Sequence, residues 1–136
     1  MENAAFSLKS YRFENIMMDL KNVPSNVTFN IEFTPSGEYL PKQRLYNLDF
    51  VFRAWVKEQS EPVIKIGCIA VFEFKEDLAF EEIPNFFYPN SIAIVFPYIR
   101  AFVSTVTLQA NMKPILIPTL NLTSLQNTLK EHTVVK

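Results

Sequence analysis

Hydrophobic and polar positions alternate strictly over much of the first half of the chain. Val27, Phe29, Ile31 and Phe33 fall on one face of an extended segment, the period of two expected of a strand with one side buried. Pro35-Ser-Gly is turn chemistry and predicts the end of that strand. A second run, roughly 45–58, places Tyr46, Leu48, Phe50, Phe52, Ala54 and Val56 on one face. A third, 63–75, does the same with Ile64, Ile66, Cys68, Ala70, Phe72 and Phe74. Glu58-Gln-Ser-Glu-Pro between them reads as a hairpin connection. The segment from Phe6 to Phe13 also alternates, but its apolar face switches between Leu8 and Tyr11, as in a bulged strand. Consecutive strands joined by short turns predict an antiparallel meander.

The period changes after Lys75. Residues 76–89 are interrupted by proline, which limits them to a short helix or turn around 78–86. From Asn90 or Ser91 to Ala110 the spacing is helical, with Pro97 in the first turn or at a kink and Arg100 the single charge. Apolar residues occur nearly all round this helix. Ile92, Val95, Ile99, Phe102, Val103 and Val106 lie on one side, and Ile94, Tyr98, Ala101 and Leu108 on the other. One sheet covers one side of a helix, so the opposite side calls for a second subunit. The expected oligomer interface is Ile92, Val95, Tyr98, Ile99, Phe102 and Val106. Asn111 and Lys113-Pro114 end the helix, Pro114 to Pro118 is an extended apolar connection, and Asn121 is an N-cap for a last helix of about ten residues. The tail 132–136 is expected to fray. The whole reads as one domain over 1–136, with a sheet half (1–75) and a helical half (76–131).

Composition sharpens the expectation of binding by apolar surface. Thirteen Phe, five Tyr and one Trp stand against two Gly, more aromatic surface than a small domain buries easily. On the second face of the strands, Val51, Trp55, Ile69 and Val71 add apolar groups to a side usually left to water. They point to contact with another subunit or a client. With Phe86, Phe87 and Tyr88, for which packing under the helix is the alternative, they are the candidate contacts for a polypeptide client.

Chemistry has little support. Cys68 sits mid-strand without a histidine near it, His132 lies alone in the tail, and Gly37 and Gly67 are isolated, so no nucleophile, metal site or phosphate-cradling loop is evident. Glu81-Glu82 and Glu76-Asp77 read as solvated loop charges, an enzymatic Glu81/Glu82 pair being the alternative. A net charge of −1 with scattered cations gives no nucleic-acid footprint. One cysteine, no basic and apolar leader, and a 92–110 span interrupted by Pro97, Arg100 and Gln109 predict a cytoplasmic protein without membrane insertion. No cofactor is expected.

Pro89-Asn90, Phe96-Pro97-Tyr98-x-Arg100, Pro114 with the apolar run to Pro118, and Asn121 resemble, in order and near-family spacing, the C-terminal half of the SecB export chaperones. The resemblance covers about 89–125. It implies an α+β fold, an antiparallel four-stranded sheet packed on two C-terminal helices. It further implies a homotetramer, a dimer of dimers with the long helices central, that binds unfolded polypeptide without ATP for protein export. SecB-like chaperones dock the SecA motor through acidic positions on the sheet. Here those positions become Asn15, Asp19 and Lys65, leaving Asp19 as the one candidate contact, so the charge pattern does not favour SecA. Some SecB-like proteins guard an antitoxin or another dedicated client, a role this chain suits equally. A structural adaptor with one fixed partner is the remaining alternative.

Overall fold

A computed structural model describes residues 5–117 and 121–136. Pro118, and with it the end of the expected apolar connection, lies outside the described residues. Four long strands, β1 (Phe6–Met18), β2 (Phe29–Leu40), β3 (Leu45–Val56) and β4 (Ile64–Phe74), precede two helices, α1 (Phe87–Gln109) and α2 (Leu122–Glu131). A three-residue strand, β5 (Thr133–Val135), follows. The sheet runs β1-β4-β3-β2-β5, antiparallel except for β5, which lies parallel to β2. The sheet thus has five strands rather than four, because residues expected to fray are paired.

The predicted alternation decides which face is buried. Tyr46, Leu48, Phe50, Phe52 and Ala54 of β3 and Ile64, Ile66, Cys68, Ala70 and Phe72 of β4 are fully buried on one side. Onto them α1 lays Ile92, Val95, Ile99 and Val103, also fully buried. α2 packs on β2 and α1 through Leu129. β1 shifts register between Leu8 and Ser10, where its apolar face was expected to switch, and again between Phe13 and Asn15. Between the bulges Tyr11 and Phe13 turn toward α1, stacking on Tyr98 at 4.3 Å and Phe102 at 4.1 Å between ring centroids.

Three boundaries differ from the expected ones for identifiable reasons. β2 continues through Pro35 to Leu40, because a proline is tolerated where its missing N–H would face outward from an edge strand. α1 begins at Phe87 rather than Asn90, since Pro89 falls in its first turn, where no donor is needed. Pro97 lies inside α1 and removes the N–H that would reach the Ala93 carbonyl one turn back. At the other end Asn111 adopts a left-handed φ of 61°. The Met112 N–H then reaches the Thr107 carbonyl at 3.0 Å and closes the helix. Asn121 caps α2 as expected, its side-chain oxygen accepting from the Ser124 N–H at 3.2 Å.

Candidate functional site: an open strand edge and its apolar groove

The first half of β2 offers backbone and apolar side chains together. The Gly37 N–H donates to the His132 carbonyl at 3.1 Å, and the Lys136 N–H donates to the Tyr39 carbonyl at 2.8 Å. Odd-numbered residues of β2 therefore direct their backbone groups outward, and even-numbered ones toward β3. β5 meets only Gly37–Tyr39. Among the described residues, no backbone partner meets the outward groups of Phe29, Ile31 and Phe33.

Beside this open edge runs a groove of about 190 Å³, lined by Val27, Thr28, Phe29, Ile31 and the segment Lys113–Leu116. Its far wall is pinned by the Lys113 N–H, which donates to the Ser25 carbonyl at 2.9 Å. Pro114 keeps that wall extended, and Leu116 stands 85% exposed at its rim. The site can pair main chain and bury apolar side chains without reading a particular sequence.

Two other surfaces carry sequence-predicted residues. On the outer sheet face Val51, Ile69 and Val71 are half-buried neighbours. Trp55 is parted from them by Arg53 and Lys65, which pair across β3 and β4. Trp55 donates its indole N–H to the Ser60 carbonyl at 3.3 Å and lies opposite Asn30 of β2, next to the open edge. Arg53 contacts Glu32 at 3.7 Å and donates to the Thr34 hydroxyl at 3.2 Å. Burial, and then the nearby Glu14, push the Asp49 carboxyl above the ordinary carboxylate range, with Lys65 and Arg53 opposing them. This face is of mixed charge. Asp19 is an exposed turn residue beyond β1, its carboxylate accepting from the Lys21 N–H at 3.2 Å.

The second surface is the outward side of α1. Ile94, Tyr98 and Leu108 are exposed there, 38%, 39% and 59% respectively, and Phe102 and Val106 are half-buried at its margin. Ile92, Val95 and Ile99 do not belong to it. They face the sheet and are fully buried within this chain, which corrects their assignment to an intersubunit contact.

Phe87 and Tyr88 are likewise removed from the client surface. Phe87 is fully buried, its ring centroid 4.7 Å from Tyr46, 4.8 Å from Phe6 and 4.9 Å from Phe74. Tyr88 is 2% exposed beneath Lys130. Only Phe86 of the three is open, 51% exposed and stacked on Phe6. The groove residues Phe29, Ile31, Ile115 and Leu116 were not singled out by sequence. The strand alternation places Phe29 and Ile31 on an apolar face, and the apolar run after Pro114 is the signal for Ile115 and Leu116.

The titratable groups have local roles. Glu82 accepts from the Ala79 N–H at 2.7 Å and caps a single 3-10 turn, Phe80–Glu82. Cys68 is buried in β4, and burial pushes its thiol up to about 11. His132 lies within 2.8 Å of the Thr128 carbonyl through Nδ1. No metal-binding cluster of His, Cys, Asp or Glu occurs among the described residues.

No family model matches the sequence. A 73-residue stretch, 54% of this chain, is 38% identical to an uncharacterised protein of Methanocaldococcus jannaschii, MJ0357, of which it spans 46%. Among solved structures, the Mycobacterium tuberculosis SecB-like chaperone Rv1957, in complex with a ChAD peptide from the HigA1 antitoxin, superposes with a TM-score of 0.70. That match covers 86% of this chain and 88% of Rv1957, at 17% sequence identity. The chain has the SecB-like fold, its sheet extended by β5 and packed on two helices.

Proposed function

We propose that this protein is a chaperone that holds a non-native polypeptide segment in extended form, without ATP. The open edge of β2 beside the apolar groove carries this reading. A client strand adds to Phe29–Phe33 by main-chain pairing while its side chains enter the groove below Leu116. Trp55, next to the edge on the outer face, completes the contact. Val51, Ile69 and Val71 offer a continuation across the sheet, broken by Arg53 and Lys65. The shared fold with Rv1957, whose structure holds an antitoxin peptide, supports polypeptide as the ligand class.

A dedicated client fits better than general export. The outer face mixes Glu14, Asp49 and Glu32 with Arg12, Arg53 and Lys65, which offers a basic motor tail no consistent field. We further propose that the outward side of α1 is covered by a second copy of the chain, giving a dimer or a dimer of dimers.

The test is titration with a reduced, alkylated and permanently unfolded model protein, followed by Trp55 fluorescence and light scattering. Saturable binding that Leu116→Asp weakens at least tenfold, with the fold intact by circular dichroism, is the expected result. Absence of binding to this probe and to extended apolar peptides would overturn the chaperone reading.

A further inference from the structure

The edge of β2 is not uniformly open. β2 is twelve residues long. Its outward-facing backbone positions are Phe29, Ile31, Phe33, Pro35, Gly37 and Tyr39, by the alternation that the Gly37 and Tyr39 hydrogen bonds define. Pro35 has no N–H, and its ring projects where that donor would point, so a strand pairing along this edge loses a bond and meets a steric block there. Beyond it, β5 already occupies Gly37–Tyr39.

β5 is held by more than its ladder. The Thr133 hydroxyl lies 2.5 Å from the hydroxyl of the buried Tyr46 and donates to the Leu129 carbonyl at 2.8 Å. The Lys136 ammonium pairs with Glu38 at 3.5 Å. A Cβ on Gly37 would run into the Tyr46 ring, so the glycine leaves room for the tyrosine to reach Thr133 beneath the sheet. β5 also shows directly that this edge accepts an added extended strand.

From these contacts we infer that Pro35 and β5 together fix both the length and the register of the client segment. The edge admits about five residues, roughly 17 Å of extended chain, paired at Phe29–Phe33. Its occupant is therefore a short extended apolar stretch within a longer unfolded chain. Affinity rises with the number of apolar residues up to that length and then levels off. The inference rests on the chaperone reading and deepens it.

The experiment is amide hydrogen exchange on the full chain, free and saturated with synthetic extended apolar peptides of four to ten residues. Binding is expected to slow the amides of Ile31 and Phe33 at least tenfold. It leaves Asn30 and Glu32, already paired to β3, and Gly37 and Tyr39, already paired to β5, within about twofold of their free rates. Dissociation constants should fall from four to about five residues and stay within twofold thereafter. In the double variant Pro35→Val/Val134→Pro, which restores one donor and breaks β5, ten-residue peptides should bind at least fivefold more tightly than six-residue ones, with new protection at Gly37 and Tyr39. Peptide that binds the wild-type chain but displaces β5, or whose affinity keeps climbing to ten residues, would overturn the length limit while leaving the chaperone reading intact. Failure of every peptide to bind removes the length limit, and failure of the unfolded model protein to bind as well removes the chaperone reading.

Discussion

Replacing Gly37 by alanine tests the bond between β5 and the core most directly. The new Cβ would meet the Tyr46 hydroxyl and ring, with the Cε1 atom 2.7 Å away. Tyr46 cannot retreat easily. It is fully buried, with Phe87 at 4.7 Å and Tyr39 at 6.3 Å between ring centroids. Forcing a methyl into such a space costs about 1–3 kcal/mol. Moving the ring also breaks the hydroxyl contact with Thr133, worth about 1 kcal/mol. Gly37→Ala should therefore destabilise the fold by about 2–4 kcal/mol. Tyr46→Leu opens the space, so adding Gly37→Ala to it should cost less than about 1 kcal/mol, a coupling visible in a double-mutant cycle. Urea unfolding at fixed protein concentration, followed by circular dichroism and Trp55 fluorescence, measures all four stabilities. Exchange at Gly37 and Tyr39 reports whether β5 lets go. A Gly37→Ala variant within about 0.5 kcal/mol of wild type, or a cycle additive to that margin, would refute the reasoning.

Tyr98→Asp puts a charge on the outward face of α1 and against Tyr11. If the proposed oligomer forms through α1, light scattering should show the wild type as a dimer or larger and the variant as monomer. An oligomeric wild type with unchanged mass in the variant would remove α1 as the contact. Phe87→Ala empties a site enclosed by Phe6, Tyr46, Phe72 and Phe74 and should cost about 3–5 kcal/mol. Lost client binding at unchanged stability would instead restore Phe87 to the client surface. Asp49 has a folded pKa above its unfolded one because it is partly buried beside Glu14. The native state thus holds that proton more tightly, and this group's contribution favours folding more as pH falls through the window above the ordinary carboxylate range. Asp49→Asn should melt higher than wild type near neutral pH, with the gap closing on acidification. A gap independent of pH would show that the charge is not its cause.

β3, β4 and the two helices are legible because each keeps its period over about ten residues or more, and β1 and the first half of β2 because shorter alternating stretches still mark them as strands. Shorter features leave less. The first bulge of β1 is visible in the switch from Leu8 to Tyr11, but the second, between Phe13 and Asn15, is not, since Asn15-Ile-Met-Met fits either face. Pro35 looked like a terminator because its meaning depends on whether the strand is an edge, which only the assembled sheet decides. β5 could not be read from Thr133-Val-Val, since three residues carry no period and Thr133 acquires its role from Tyr46, far away in sequence. On α1 the apolar character was read correctly, but not its division between sheet and outside. Ile92, Val95 and Ile99 were consumed by the chain's own core. The groove was missed for a similar reason: Phe29 and Ile115 look like core positions until the space between them is seen.

Pro97 has a consequence for anything that closes over α1. The carbonyl of Ala93 has lost its helical donor, and Ala93 and Pro97 are both exposed on the outward side. In the free chain, water meets that oxygen. Covering it with purely apolar surface would strand an acceptor at a cost of about 1–3 kcal/mol. A subunit packed on this side must bring a hydroxyl or amide to the notch, or enclose a water molecule there. The helix that looks most like a greasy rod thus sets a polar condition on its partner.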